Sequence, residues 1–222
     1  MIMKKLIIFG NGQIAQLAKY YFDKDSDYEV IAFLANKEYI TSNTFEDLPL
    51  IALENLEEYF PNREVIHVFI AMSYSKMNKN REKIYREIKK LGYRLTSYVS
   101  SKCNYLSQFS HGENCFILED NTIQPFVQIG NNVTLWSGNH IGHHTIISDH
   151  NFISSHVVVS GNCRIKSNCF IGVNSTIHND VTIEKENLIG AGAIIAKSTV
   201  EKGVYLPPKS SLFRKASNEL NL

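Results

Sequence analysis

Residues 165–195 read IKSNCFIGVNSTIHNDVTIEKENLIGAGAII, in which Ile165, Ile171, Ile177, Ile183, Ile189 and Ile195 stand six apart. Followed backwards, the register holds through Val159, Ile153, Ile147, Ile141, Leu135, Ile129, Ile123 and Ile117 without a slip. A helix repeats every 3.6 residues and a strand every two, so neither carries this pattern. A hexapeptide period is the signature of a parallel β-helix, a prism with three flat sides and one short strand per repeat. Three repeats close a coil of eighteen residues, so each residue lies under the one eighteen further on, at the roughly 4.8 Å spacing of paired strands.

The period assigns a place to each side chain. The aliphatic fills the prism. The residue two before it also points inward and has to be small. Val127, Val133, Thr145, Val157, Cys163, Cys169, Ser175, Val181 and Ala193 obey, while Asn121, Asn139, Asn151 and Asn187 take the same slot. The residue after the aliphatic is expected at a corner, where Gly130, Gly142, Gly172 and Gly190 would relax the backbone. Stacking sets His143 one coil below Gly161 on the same outer side, an imidazole beside a bare peptide N–H.

Ahead of the repeat the periodicity is different. Lys5–Phe9, Tyr28–Leu34, Glu64–Ala71 and Tyr93–Val99 read as strands. Gln13–Phe22, Leu53–Tyr59 and Asn78–Leu91 read as helices, the last with Ile84, Ile88 and Leu91 on one face and Gly92 as its stop. Alternating β and α segments predict a small parallel sheet with right-handed crossovers. The change of period near residue 100 divides the chain into an α/β domain, 1–100, and a β-helix domain, 101–222. After Ile195 the register is expected to decay through Pro207-Pro208 into a charged tail, a short helix or a loose end.

The 222 residues suffice for two domains with real cores, and a net charge of +1 without a basic stripe argues against nucleic acid. No apolar run approaches a membrane span. Met1–Phe9 imitates the start of a signal peptide, but Gly10-Asn11-Gly12-Gln13 interrupts it before any cleavage site, so a buried strand in a cytoplasmic protein is expected. Cys103, Cys115, Cys163 and Cys169 form no CxxC pair and read as reduced packing thiols.

Five segments carry a resemblance. They are Phe9-Gly10-Asn11-Gly12-Gln13-Ile14-Ala15, Phe69-Ile70-Ala71-Met72, Ile141-Gly142-His143, the run Asn168 to Ser175, and Ile189-Gly190-Ala191-Gly192-Ala193. With them the chain resembles the bacterial sugar acyltransferases of the sialic-acid O-acetyltransferase and bacillosamine N-acetyltransferase type. The resemblance implies an N-terminal Rossmann-like domain joined to a left-handed β-helix, a homotrimer with active sites between subunits, and acetyl-CoA as co-substrate. It places the general base at His143 and the backbone that binds the acetyl carbonyl at Gly161. It runs the pantetheine arm past Val173, Gly190 and Ala191, and sets a sugar nucleotide at Gly10, Gly12, Gln13, Asn36, Ala71 and Met72. The implied reaction is N-acetylation of a nucleotide-linked amino sugar, a 4-amino-4,6-dideoxyhexose, in bacterial surface glycan synthesis. The chain departs from the family at three points: His144 stands where an acidic residue often follows the base, Asn36 replaces acids after the second strand, and Leu206-Pro207-Pro208-Lys209 replaces a Gly-x-Pro-Ala-Lys-type turn.

Other readings compete at each site. An imidazole of ordinary pKa, about 6.5, takes a proton near neutrality, which suits His143 to base work; His140 and His144 are the reserves. His144, His150 and His156 recur every six residues, so they lie on different sides and form no cluster. A zinc hydratase of the γ-carbonic-anhydrase type is an alternative function, but no two histidines stand 18 or 36 apart to stack in one chain, and no metal is expected. Acetylation of a sugar hydroxyl is a second alternative. Gly10-Asn11-Gly12-Gln13-Ile14-Ala15 lets a phosphate approach a helix N-terminus, yet the acid a dinucleotide site needs some 20 residues on is Asn36, which favours a sugar nucleotide over NAD. Trp136, the single tryptophan, reads as a subunit contact or a platform for ligand, and Lys76–Lys90 as the wet face of a helix.

Overall fold

The computed structural model describes residues 3–212 together with 214 and 218, so most of the expected tail lies outside the described residues. The chain opens with strand β1 (Lys4–Phe9), helix α1 (Gln13–Lys24) and strand β2 (Tyr28–Ala35). A hairpin follows, β3 (Thr44–Phe45) and β4 (Leu48–Ala52), then a short helix α2 (Leu56–Tyr59), β5 (Ile66–Ile70), α3 (Lys79–Lys90) and β6 (Arg94–Leu95). The sheet order is β3-β4-β2-β1-β5-β6, parallel except for the β3–β4 pair. Strand β1 is central and buried on both faces. Leu6 and Ile8 meet Ala15, Ala18 and Phe22 of α1, while Ile7 and Phe9 meet Ile84 and Ile88 of α3.

The remainder is the expected column. One side is a four-stranded sheet, Gln128–Ile129, Ile146–Ile147, Arg164–Ile165 and Thr182–Ile183. A six-stranded side runs from Asn104–Tyr105 to Ile194–Ile195, and a seven-stranded side from Tyr98–Val99 to Val204–Tyr205. Each rung as far as Ile195 pairs parallel with residues eighteen away, such as Ile141 with Ile123 and Val159. The register aliphatics and the small residues two before them form one continuous core. Three of the inward asparagines are satisfied within it: Asn121 accepts from Asn139 N–H at 3.2 Å, Asn139 from Val157 N–H at 2.8 Å and Asn151 from Cys169 N–H at 2.8 Å. Asn187 donates to Val200 O at 2.8 Å, but its buried Oδ1 has no partner among the described residues. The four cysteines are free, and burial pushes the Cys169 thiol up to about 12.

Several expectations are corrected. The left-handed backbone does not fall on Gly130, Gly142, Gly172 or Gly190. It falls three residues after each aliphatic, at Asn132, His144, His150, His156, Asn162, Asn168 and their equivalents, with φ near 60°. Asn, Asp and His tolerate that region best among residues with a side chain, which is why histidine recurs there. Gly142 and Gly172 are needed because a Cβ would stand 2.6 and 2.5 Å from the next coil's backbone. Tyr93–Val99 is two strands, not one: β6 closes the first sheet and Tyr98–Val99 is already the first rung of the column. After Ile195 the column gains another rung, because Val204–Tyr205 pairs with Leu188–Ile189.

The seven-stranded side carries the first domain. Tyr98, Phe116 and Leu118 belong to the same core as α1. Trp136 packs on that core within the chain, 6.2 Å from the Phe152 ring. Within the charged Lys76–Lys90 run, Arg81 breaks the expectation of a wet face. It is buried, donates to Asn151 O at 2.9 Å, and also bonds Thr134 Oγ1 and Asn78 Oδ1. Asn78 in turn donates to Cys169 O at 2.9 Å. The start of α3 is thereby bolted to the column. No helix among the described residues is long and apolar enough to cross a membrane.

Candidate active site

Two places gather the residues expected to act. The first is a cavity of about 500 Å³ at the carboxyl end of the parallel strands, where open α/β sheets bind ligands. Gly10, Gly12, Gln13, Asn36, Ala71 and Met72 all line it. Gly10 has φ 137°, and a Cβ there would stand 2.6 Å from Ala71 O, so the β1–α1 turn closes against the end of β5 only because the residue is glycine. Gly12 begins α1 with no side-chain cap, leaving the first-turn N–H groups to whatever enters. Tyr39 and Tyr74 also line the cavity and were not foreseen. Tyr39 is drawn in by Asn11, whose amide donates to its carbonyl at 2.8 Å. Tyr74 lies 4.3 Å from the Phe170 ring, between the cavity and the column. Trp136 borders an adjoining open groove of about 670 Å³ that shares Gln13 and Ile14 with the cavity.

The second place is the edge between the six- and four-stranded sides. His143 follows rung His140–Ile141 and precedes rung Ile146–Ile147. Its backbone N–H donates to Gln124 Oε1 at 2.8 Å, one coil before. Its ring lies directly on Gly161, because a Cβ at 161 would stand 2.7 Å from both Nε2 and Cε1. The stacking of residues eighteen apart thus brings His143 and Gly161 together as expected. The Gly161 N–H is not bare, however. It donates to Asn179 Oδ1 at 2.9 Å, a further eighteen residues on. The neighbouring edge residue is held the same way, with Asn162 Nδ2 donating to Asp180 Oδ1 at 2.6 Å.

Val173, Gly190 and Ala191 lie on a different edge. They follow rungs Phe170–Ile171 and Leu188–Ile189 of the seven-stranded side and lead into the six-stranded one. The six-stranded side therefore separates them from His143 and Gly161 within one chain. The cavity of the first domain is further still: it belongs to the domain on the seven-stranded side, and a prism's edge between two sides lies opposite the third. One chain brings together the His143 ring and the Gly161 amide, and separately the cavity residues, but does not bring the two groups to each other.

His150 and His156 are held within the fold. His150 is buried, with Nδ1 2.9 Å from Asn132 Nδ2 and Nε2 3.8 Å from Glu82, and burial lowers its pKa against the pull of Glu82 and Asp149. His156 packs its ring against Gly138. Among the described residues no group of three or more His, Cys, Asp or Glu is placed to hold a metal ion.

The bacterial transferase hexapeptide (six repeats) family matches residues 110–143 and 162–197. The acetyltransferase domain of PglB from Neisseria gonorrhoeae FA1090, in complex with acetyl coenzyme A, superposes with a TM-score of 0.79 at 18% identity over 92% of this chain and 97% of its own. PerB from Caulobacter crescentus, in complex with CoA and GDP-perosamine, gives 0.79 at 16% over 91% and 94%. WeeI from Acinetobacter baumannii AYE gives 0.76 at 18% over 90% and 94%. No curated protein sequence matches the chain. Both parts of the chain are covered by these alignments, which show a shared fold, and the hexapeptide repeats and parallel rungs fit a left-handed β-helix.

Proposed function

We propose that the chain is an acetyl-CoA-dependent N-acetyltransferase acting on a nucleotide-linked amino sugar, a 4-amino-4,6-dideoxyhexose, in cytoplasmic steps of bacterial surface glycan synthesis. The observation that carries this reading is the imidazole of His143 lying on the Gly161 peptide. Its Nε2 takes a proton from the attacking amine. The amine adds to the thioester carbonyl, whose oxygen gathers charge beside the Gly161 N–H. The C–S bond breaks, His143 passes its proton to the sulfur, and coenzyme A departs as its thiol. For the thioester oxygen to use that N–H, the Asn179 amide has to turn aside or share it. The fold of PerB, which holds CoA and GDP-perosamine, supports an amine acceptor and a nucleotide handle.

The first domain acts as the Rossmann-like half and receives the nucleotide at Gly10, Gly12, Gln13, Asn36, Ala71 and Met72. Its phosphates meet the amino end of α1. Because this cavity and His143 lie on opposite flanks of one column, the sugar reaches the base of a neighbouring copy. A homotrimer supplies that neighbour, with the pantetheine arm running between Gly161 of one chain and Val173, Gly190 and Ala191 of the next.

Coenzyme A release with a panel of nucleotide-linked amino and hydroxy sugars tests the reaction. Turnover confined to amino sugars is expected, and faster turnover of hydroxy sugars overturns the choice of acceptor. Mixing a His143→Ala chain with a Gly10→Val chain tests the arrangement. Activity regained in the mixed oligomer is expected for sites shared between copies, and two inactive partners that stay inactive remove it.

A further inference from the structure

The base lacks the acidic neighbour that its family often supplies, and the structure shows what stands there instead. His143 Nδ1 lies 3.1 Å from His144 Nδ1, with the rings edge to face at 87°. Two nitrogens at that distance share one hydrogen. If His143 is to accept a proton at Nε2, its Nδ1 has to carry the hydrogen and His144 Nδ1 has to accept it. His144 is fixed for that task by two constraints. Its backbone holds the left-handed corner conformation, φ 58°, and its ring stacks on Phe126, 4.6 Å away at 29°.

Among the described residues, those that these contacts place at the pair carry no competing charge. The coil before presents Gln124, Pro125 and Phe126, and the coil after presents Gly161 and Asn162. Asp180, one coil further, is engaged by Asn162. Among the described residues the only histidine in an ion-pair contact is His150, on another edge.

We propose that His144 is the positioning residue of His143: it fixes the tautomer with a free Nε2, and does so as a neutral acceptor in place of a carboxylate. This rests on the reading of His143 as the base. It has a consequence for charge. A carboxylate steadies the imidazolium formed in the reaction, whereas a neutral imidazole does so weakly. A carboxylate placed at 144 therefore makes His143 hold its proton to higher pH.

Three substitutions at one corner separate the terms. Phenylalanine is tolerated in this conformation, since Phe126 adopts it at φ 68° one coil before. Asparagine and aspartate occupy the same corner elsewhere, at Asn162 and Asp180, and carry an oxygen where His144 has Nδ1. His144→Phe should lower kcat about 10- to 100-fold with the KM for acetyl-CoA unchanged. His144→Asn, which keeps an acceptor, should recover most of that loss. His144→Asp should recover it and move the acid limb of kcat/KM upward by about one pH unit. Circular dichroism and sedimentation confirm that each variant keeps its fold and assembly. Wild-type kcat and pH profile in His144→Phe, beside an inactive His143→Ala, overturn the positioning role. An active His143→Ala instead overturns the base, and the two failures are told apart by that one control.

Discussion

The column and the first domain solve the same problem, satisfying a buried backbone, in different ways. In the first domain, β1 has a helix layer on either face, so two separate cores share one sheet. A side chain lost from α3 beyond its bolted start can be met by a shift of the helix. In the column a register aliphatic stacks between aliphatics one rung above and one rung below, as Ile171 does between Ile153 and Ile189. The rungs are hydrogen bonded and have nowhere to move. The difference extends to the two sites. The cavity of the first domain is formed by loops that converge within one chain. The edge that carries His143 is a vertical line of stacked corners, Gln124, His143, Gly161 and Asn179, whose geometry is inherited from the stacking itself.

The sharpest test of that contrast is at the line of corners. His143→Ala removes a surface side chain from a rigid scaffold. Turnover should fall about 10²- to 10⁴-fold with thermal midpoint and assembly unchanged; steady-state kinetics beside a melting curve checks both. Next in size is a pair of truncations. Ile171→Ala opens a hole between two fixed rungs and should cost near the upper end of the roughly 2–5 kcal/mol range. Ile84→Ala, on a helix bolted at its start but able to settle toward the sheet beyond it, should cost nearer the lower end. Equal losses in urea unfolding would break the contrast.

Arg81 is the point at which the two regions are joined, and its effect should come next. Burial pulls its guanidinium down to about 10, with no carboxylate to offset the cost. Arg81→Ala leaves Thr134 and the Asn151 carbonyl without their donor, which should cost on the order of 3 kcal/mol. The expected signature is faster hydrogen exchange in α3 with the column unaffected. Smaller again is Asn179→Ala, which frees the Gly161 N–H. About 1 kcal/mol of stability should be lost with the hydrogen bond, while the KM for acetyl-CoA falls.

The column was legible because closing an eighteen-residue coil imposes a period that sequence can show directly. It became illegible where other side chains hold the register. Tyr105 and His111 stand at register positions before Ile117, and the last rung, Val204–Tyr205, arrives after an irregular turn through Gly203. The same rule that predicted the meeting of His143 and Gly161 also puts Asn179 over Gly161, so that hydrogen bond was available and overlooked. The first domain gave less. The β3–β4 hairpin is short and contains Pro49, which hides its alternation. Tyr39 and Tyr74 reach the cavity through tertiary contacts that no local spacing records.

The smallest effect concerns the seam between the regions, and its sign can be worked out. Asp25 ends α1 and accepts from Tyr98 Oη and from Ser101 N–H, both at 2.8 Å, tying the helix to the first rung. Burial works to raise the pKa of its carboxyl, but the donors from Ser101, Tyr98 and Ser100 outweigh it and the net direction is down. A depressed carboxyl contributes stability that is present above its unfolded value, about 3.9, and is lost as pH falls through the folded value. Asp25→Asn keeps one acceptor and removes the titration. Its urea midpoint should lie slightly below that of the native chain at pH 7, and the two should converge as pH falls below about 4. A gap that stays constant with pH would mean that the Tyr98 and Ser101 bonds do not favour the charged form, and that the seam is held by packing of Tyr98 and Phe116 alone.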